Sequence, residues 1–268
     1  MKIGVCAKDL KGNLEDNLKW LSNNDFDGFQ IWQPQIEASN LSLEEFKQRT
    51  SDLGLEVSAI GAGPNLVDKK VAVESVEKCK GFMDLSVELG CHILCAETKI
   101  LPKGVSLREG WQVCEDTISE LCEYAEKLNV LFAIECAGPC FIRDHIYWHE
   151  LKKKVNSPAL KVNYDPANIA WGGADPVEAC ESLLKEIIHF HAKDMSYIPS
   201  LEHMNHEEDH DCVLGTGLIA YKEVLKLMTS SNYKGYYCIE MHSGEQDRRH
   251  DILASKLELE KILKEVQL

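Results

Sequence analysis

Short apolar runs of strand length alternate along the whole chain with longer segments whose apolar residues recur at helical spacing. The apolar runs predict eight β-strands, at residues 2–7, 28–32, 56–62, 92–97, 130–137, 160–165, 187–193 and 236–242. The segments between them predict helices at Leu14–Leu21, Leu43–Leu53, Val71–Leu89, Trp111–Leu128, Phe141–Val155, Pro176–Leu184, Tyr221–Met228 and Ile252–Val266.

This alternation favours a parallel sheet, because each parallel strand pair needs a helix-sized crossover. Eight strand–helix units in 268 residues are typical of one α/β fold, the (β/α)8 TIM barrel. A doubly wound open sheet is the alternative, but the segment after the first strand, VCAKDLKGN, has no Gly-rich nucleotide-binding turn. Since no linker-like segment divides the chain, we expect a single barrel domain over residues 1–268.

Charge and composition limit the choice of partner and compartment. The formal net charge of -15 disfavours nucleic acid and anionic membranes, which usually call for a basic face, and favours a small-molecule partner. The chain starts directly with a strand-like run and contains no stretch of about 18 apolar residues, so we expect a cytoplasmic protein. The 11 cysteines lie in apolar runs and not at disulfide-framework spacings, which predicts reduced core thiols.

The candidate chemistry lies at the ends of the last four predicted strands. In a parallel barrel, functional side chains come from the carboxyl ends of several strands. Strands five to eight carry four ionisable residues there: Glu135, Asp165, His191 and Glu240. Each taken alone is also typical of a structural role, such as an ion pair, a turn cap or a core histidine. Together they would repel one another in an apolar setting unless a cation lay between them.

The types of side chain indicate which cation. Three carboxylates and one imidazole suit a borderline-hard divalent ion, with Mn²⁺ favoured and Mg²⁺, Co²⁺ or Zn²⁺ as alternatives. Such a set leaves coordination positions open for substrate oxygens. The sequence therefore predicts a divalent-metal cofactor at the carboxyl end of the barrel.

Six further residues near the strand exits are candidates for substrate contact. They are Lys193, Asn168, Trp32, Trp171, Asn65 and Glu97. Each also has a structural interpretation: ion pairing for the charged residues, turn formation for the asparagines and packing for the tryptophans.

The longest predicted connection, residues 195–217, is polar and rich in histidine, which predicts a lid over the site. Its histidines, His203, His206 and His210, permit two interpretations. They would either bind a second metal or belong to a solvated lid, and the polar composition favours the lid.

Five segments, FAIEC, YDPANIAWGGADPVEA, HFHAKD, LGTGLIAYKEVL and GYYCIEMH, resemble in this order the sugar phosphate isomerase/epimerase family. These xylose isomerase-like TIM barrels include ketose 3-epimerases, hydroxypyruvate isomerase, inosose dehydratase and, more distantly, endonuclease IV. The resemblance implies a metal bound by Glu135, Asp165, His191 and Glu240, with the two glutamates as an acid/base pair. It also implies a homodimer or homotetramer, since family members often form them.

Two positions depart from the ketose 3-epimerase pattern. Those enzymes have a histidine three residues after the strand-six aspartate and an arginine six residues after the strand-seven histidine. This chain has Asn168 and Tyr197 there, so those substrate contacts do not carry over.

The predicted function is a divalent-metal-dependent isomerase or epimerase for a small keto-sugar or its phosphate. With a carbonyl and a neighbouring hydroxyl on the ion, one glutamate removes the proton between them, giving an enediolate, and the other returns it. Return to the adjacent carbon would give an aldose–ketose isomerase, and loss of a β-hydroxyl would give a dehydratase. An endonuclease IV-like metallohydrolase is disfavoured by the acidic charge, and a non-catalytic sugar-binding barrel by the glutamate pair.

Overall fold

The computed structural model of the chain describes residues 1–198, 210–242 and 246–267. Within these residues eight parallel strands form a closed barrel: β1 (Lys2–Cys6), β2 (Gly28–Ile31), β3 (Glu56–Ala62), β4 (Ile93–Ala96), β5 (Leu131–Glu135), β6 (Leu160–Tyr164), β7 (Ile187–Ala192) and β10 (Tyr236–Ile239). Their order around the barrel is β1-β10-β7-β6-β5-β4-β3-β2, with β1 also paired to β2. The predicted TIM barrel is confirmed.

The helices surround this barrel; all but the last, which follows the final strand, lie in the connections between strands. They are α1 (Leu14–Asn23), α2 (Gln33–Ala38), α3 (Leu43–Asp52), α4 (Ala72–Glu88), α5 (Leu107–Leu128), α6 (His145–Val155), α7 (Pro166–Trp171), α8 (Pro176–Leu183), α9 (Tyr221–Ser230) and α10 (Arg249–Val266). Each predicted helix is present with shifted ends. Helix α6 begins at His145 and not at Phe141, because the Asp144 side chain caps it by accepting a hydrogen bond from Tyr147 N.

Four short elements, two helices and two strands, escape the sequence prediction. Helices α2 and α7 span six residues each, too few for a helical period to emerge. Strands β8 (Asp194–Met195) and β9 (Asp211–Cys212) pair antiparallel and form a two-stranded ribbon beside the barrel mouth. The ribbon is assembled from the two ends of the predicted lid, so a pattern of neighbouring residues could not reveal it.

The core between barrel and helices is apolar, whereas the barrel interior combines small apolar side chains with a buried hydrogen-bonded group formed by Ser58, Asn163 and His189. All 11 cysteines lie within the described residues as free thiols, and only Cys91 and Cys212 are not fully buried, so the prediction of unpaired core thiols is confirmed. Within the described residues, no helix is long and apolar enough to cross a membrane.

Candidate metal centre

The carboxyl end of the barrel gathers the four predicted metal ligands. Glu135 is the last residue of β5 and His191 lies in β7, whereas Asp165 and Glu240 directly follow β6 and β10. One ligand atom from each residue lies within 4.8 Å of the ligand atoms of the others, and all four side chains are buried. Residues separated by more than one hundred positions in sequence thus share one small space.

Asp165 is placed by the start of helix α7. Its Oδ1 accepts a hydrogen bond of 2.9 Å from Asn168 N and caps the helix, while Pro166 occupies the first helical turn. Its Oδ2 is fully buried and accepts no hydrogen bond within the described residues, although Lys193 Nζ lies 3.3 Å away. Burial raises the pKa of Asp165 to about 7, against the opposing charge of Lys193. A buried carboxylate oxygen in this state fits a metal ligand.

His191 lies between the two glutamates. Its Nδ1 is 3.2 Å from Glu135 Oε2 and 3.4 Å from Glu240 Oε2, and its Nε2 is 2.8 Å from Gln30 Oε1. Because an amide oxygen only accepts, Nε2 carries the hydrogen and Nδ1 faces the carboxylates. Burial lowers the pKa of His191, but the Cys6 thiol and the two glutamates outweigh it and raise the pKa well above its ordinary value.

The two glutamates have different hydrogen-bond partners. Glu135 accepts from two amides, Asn163 Nδ2 at 2.7 Å on Oε2 and Asn168 Nδ2 on Oε1. Glu240 instead contacts two ammonium groups, Lys8 Nζ at 2.8 Å from Oε1 and Lys193 Nζ at 3.2 Å from Oε2.

Both glutamates are held ionised by these surroundings. Burial opposes ionisation of Glu240, but Lys193, Lys8 and His191 outweigh it and hold its pKa well below the ordinary value. Burial likewise opposes ionisation of Glu135. The charge of His191 and its hydrogen bond outweigh burial, so the pKa of Glu135 lies below the ordinary value. The centre therefore contains carboxylate charge that suits a divalent cation.

A cavity of about 250 Å³ opens beside the cluster of candidate ligands. Of the predicted substrate-binding residues, Trp32 and Glu97 line it, together with three of the ligands, Glu135, His191 and Glu240. The Trp32 ring packs directly over Gly61, where an added Cβ would overlap the indole. This close approach explains why β3 carries a glycine beside the cavity.

The other substrate candidates divide into two groups. Asn168, Trp171 and Lys193 line a smaller neighbouring cavity that also contacts Glu97 and Glu240. Asn65 is not brought to either cavity: its Oδ1 accepts hydrogen bonds from Val67 N and Asp68 N, at 3.2 and 3.0 Å, within a turn after β3. The structure thus supports a turn-forming role for Asn65.

The predicted lid is described only at its ends. His203 and His206 lie outside the described residues. His210 is buried, contrary to the expectation of a solvated residue, because its ring packs against Trp171 at a centroid distance of 5.9 Å. Within the described residues His210 belongs to no group of potential metal ligands.

Several residues of the site were missed by sequence reasoning. They are Lys8, Gln30, Lys99, Asn163 and His242. Asn163 and His242 lie two residues from Asp165 and Glu240, and this two-residue period along the strands was a signal that could have found them. Lys8 lies in the short 3-10 helix Ala7–Asp9 and Lys99 in the loop after β4, where no period points to the barrel mouth.

Fold and site together define a parallel (β/α)8 barrel with a buried carboxylate–histidine cluster at the carboxyl end of its strands. The chain belongs to the xylose isomerase-like TIM barrel family, whose model matches residues 18–262. This finding confirms the resemblance identified from the sequence.

Individual relatives carry different activities in their names. The 3-dehydroshikimate dehydratase of Bacillus anthracis is 25% identical over 208 residues, which are 73% of this chain and 72% of that protein. The crystal structure of an IOLI protein with a zinc atom matches with a TM-score of 0.85 and 18% identity over 99% of both chains. A D-tagatose 3-epimerase-like protein matches with a TM-score of 0.84 and 22% identity, over 100% of this chain and 98% of that one. These structural likenesses show the shared fold.

Proposed function

We propose that this protein is a divalent-metal-dependent isomerase or epimerase that acts on a small keto-sugar or its phosphate. The observation that carries the proposal is the convergence of Glu135, Asp165, His191 and Glu240, with ligand atoms within 4.8 Å of one another, beside an open cavity. A purely structural cluster of three buried carboxylates would be costly to maintain.

The residues present fit a divalent ion. Carboxylate oxygens and one imidazole nitrogen suit Mn²⁺, and also Mg²⁺, Co²⁺ or Zn²⁺. The buried Asp165 Oδ2, which accepts no hydrogen bond within the described residues, supports the assignment, as does Gln30, which orients the imidazole of His191. When bound, the ion would supply a Lewis acid that stabilises negative charge on substrate oxygens.

The two glutamates are the proton-transfer groups of this proposal. Both are ionised, buried and part of the cavity wall, so each can accept a proton from a substrate carbon next to a carbonyl group. Epimerisation requires the other glutamate to have taken a proton from solvent, which it delivers to the opposite face of the same carbon, leaving the first glutamate protonated and the second ionised; proton exchange with solvent then restores both. The amide donors of Asn163 and Asn168 hold Glu135, and the ammonium groups of Lys8 and Lys193 hold Glu240.

A keto-sugar dehydratase is the second candidate, favoured by the sequence relative named as a dehydratase. The first proton transfer would be the same, and a β-hydroxyl would then leave. Lys193 is buried beside Glu240 and lines the smaller cavity, where its ammonium can donate a hydrogen bond to a departing hydroxyl group.

Incubation in heavy water tests the proposal. The protein, loaded with Mn²⁺, is supplied with a panel of keto-sugars and keto-sugar phosphates, and NMR follows deuterium next to the carbonyl. Epimer or aldose products would support the proposal, and an unsaturated product would assign the dehydratase. The exposed Glu74→Gln variant is the matched control and should keep full exchange, whereas absence of exchange across the panel at saturating metal would refute the proposal.

A further inference from the structure

Lys99, in the turn after β4, reaches into the same cavity as the candidate metal ligands. It lines the cavity together with Trp32, Gly63 and Glu97. Its ammonium lies above the β3 exit, since a Cβ added to Gly63 would be 3.7 Å from Lys99 Nζ. A positive charge is therefore present at the cavity wall beside Gly63, at the exits of β3 and β4.

The backbone at Lys99 is held in an unusual conformation. Its φ of +67° lies in the left-handed region, which side chains other than Gly and Asn seldom adopt. Two hydrogen bonds fix this turn: Phe141 N donates to Lys99 O at 2.9 Å, and Ile142 N donates to the buried Thr98 Oγ1 at 3.0 Å. The backbone that carries Lys99 is therefore rigid, as is common for residues that bind ligands.

The lysine ammonium groups of the site differ in the number of carboxylates that each contacts. Lys8 Nζ contacts Asp9 and Glu240, and Lys193 Nζ contacts Asp165 and Glu240. In the described part of the chain, Lys99 Nζ contacts one carboxylate, Glu97, at 2.8 Å. An ammonium group has three N–H donors, so the ion pair with Glu97 orients Lys99 and leaves donors for a ligand.

We propose that Lys99 binds an anionic group, a carboxylate or a phosphate, at the end of the substrate remote from the metal-binding end. This inference rests on the proposed function and adds a substrate class to it. A keto and hydroxyl end placed at the four ligands would leave the other end of a small substrate at the wall formed by Trp32, Gly63 and Lys99. Trp32 supplies the flat apolar side of the cavity between the two ends.

Matched ligands test this assignment by binding, without turnover. D-Fructose is neutral, D-fructose 6-phosphate carries a phosphate at the carbon remote from the carbonyl, and 5-keto-D-gluconate carries a carboxylate there. Titration calorimetry with the Mn²⁺-loaded protein measures each affinity. We expect at least one anion to bind about tenfold or more tightly than fructose, as for a charge-assisted contact, and the preference to fall with added salt. The preferred anion distinguishes phosphate from carboxylate.

Substitutions in this loop test whether Lys99 is the residue that binds the anion. Lys99→Met should reduce the preference to within about twofold, and Lys99→Arg should retain it. Lys103→Met removes the same charge from an exposed position in the same loop and should leave the preference unchanged. Thermal melts of each variant establish that it is folded.

Three results would overturn the inference: equal affinity for all three ligands, no binding of either anion, or an unchanged preference in Lys99→Met. Deuterium exchange into a neutral keto-sugar together with any of these results would refute the inference and leave the proposed function standing. Tight, Lys99-dependent anion binding without any exchange would support the anion site and contradict the proposed function.

Discussion

The two halves of the barrel mouth differ in the burial and the chemistry of their side chains. Strands β5, β6, β7 and β10 deliver three carboxylates and an imidazole that are almost inaccessible to solvent. Strands β1 to β4 end in half-buried groups, among them Lys8, Trp32 and Lys99. In the proposed function, the first half performs the bond chemistry and the second half recognises the ligand.

The largest effect should come from the two glutamates of the buried half. Glu135→Gln and Glu240→Gln keep the size of the side chain but remove its basicity, so each should lower kcat by about 10²–10⁴-fold at saturating metal. Initial rates with the substrate found by deuterium exchange provide the measurement. Full activity in either variant would remove that glutamate from the acid/base pair.

Loss of metal binding should be largest for the other two ligands. Asp165→Ala and His191→Ala should each weaken Mn²⁺ binding by more than the roughly 10–100-fold that loss of a partner behind a metal ligand costs. Calorimetric titration of Mn²⁺ measures this, with Asn65→Ala as the control because Asn65 lies in a turn away from both cavities. Native affinity in the aspartate variant would exclude Asp165 from the centre.

Gln30 connects the two halves, because it lies in β2 but accepts a hydrogen bond from His191 in β7. Gln30→Leu removes the acceptor for His191 Nε2 and should weaken Mn²⁺ binding by about 10–100-fold. The exposed Gln48→Leu is the matched control. A Gln30 variant with native metal affinity would show that the imidazole is oriented without this hydrogen bond.

The effect of pH on metal binding should be graded. Since burial raises the pKa of Asp165 to about 7, metal must displace a proton below that pH, and Mn²⁺ affinity should fall by about tenfold per pH unit. For the metal-free protein the sign is opposite: the folded state binds this proton more tightly than the unfolded state, so the contribution of Asp165 to stability decreases as pH rises from about 4 to 7. Metal affinity that is constant from pH 8 to pH 5 would contradict the raised pKa.

The sequence predicted the fold better than the recognition half of the site. Apolar periodicity located every barrel strand, and the ends of the last four strands located the ligand cluster, because strand order converts directly into position around a barrel. The antiparallel ribbon at Asp194 and Asp211 depends on contacts between distant residues, so no local pattern encodes it.

The positions of side chains in the connecting segments could not be predicted from this sequence. Lys8 reaches the cavity from a short 3-10 helix and Lys99 from a loop with a left-handed backbone, and the pattern of residue types along the chain does not specify such geometry. Asn65 shows the opposite case, since an asparagine at a strand exit serves its own turn by accepting two backbone hydrogen bonds.

Anomalous diffraction from a crystal grown with Mn²⁺ tests the central claim most directly. We expect one anomalous peak at coordination distance from Glu135, Asp165, His191 and Glu240 together. A structure in which the ion contacts none of them, or in which these four side chains are too far apart to share it, would contradict the account.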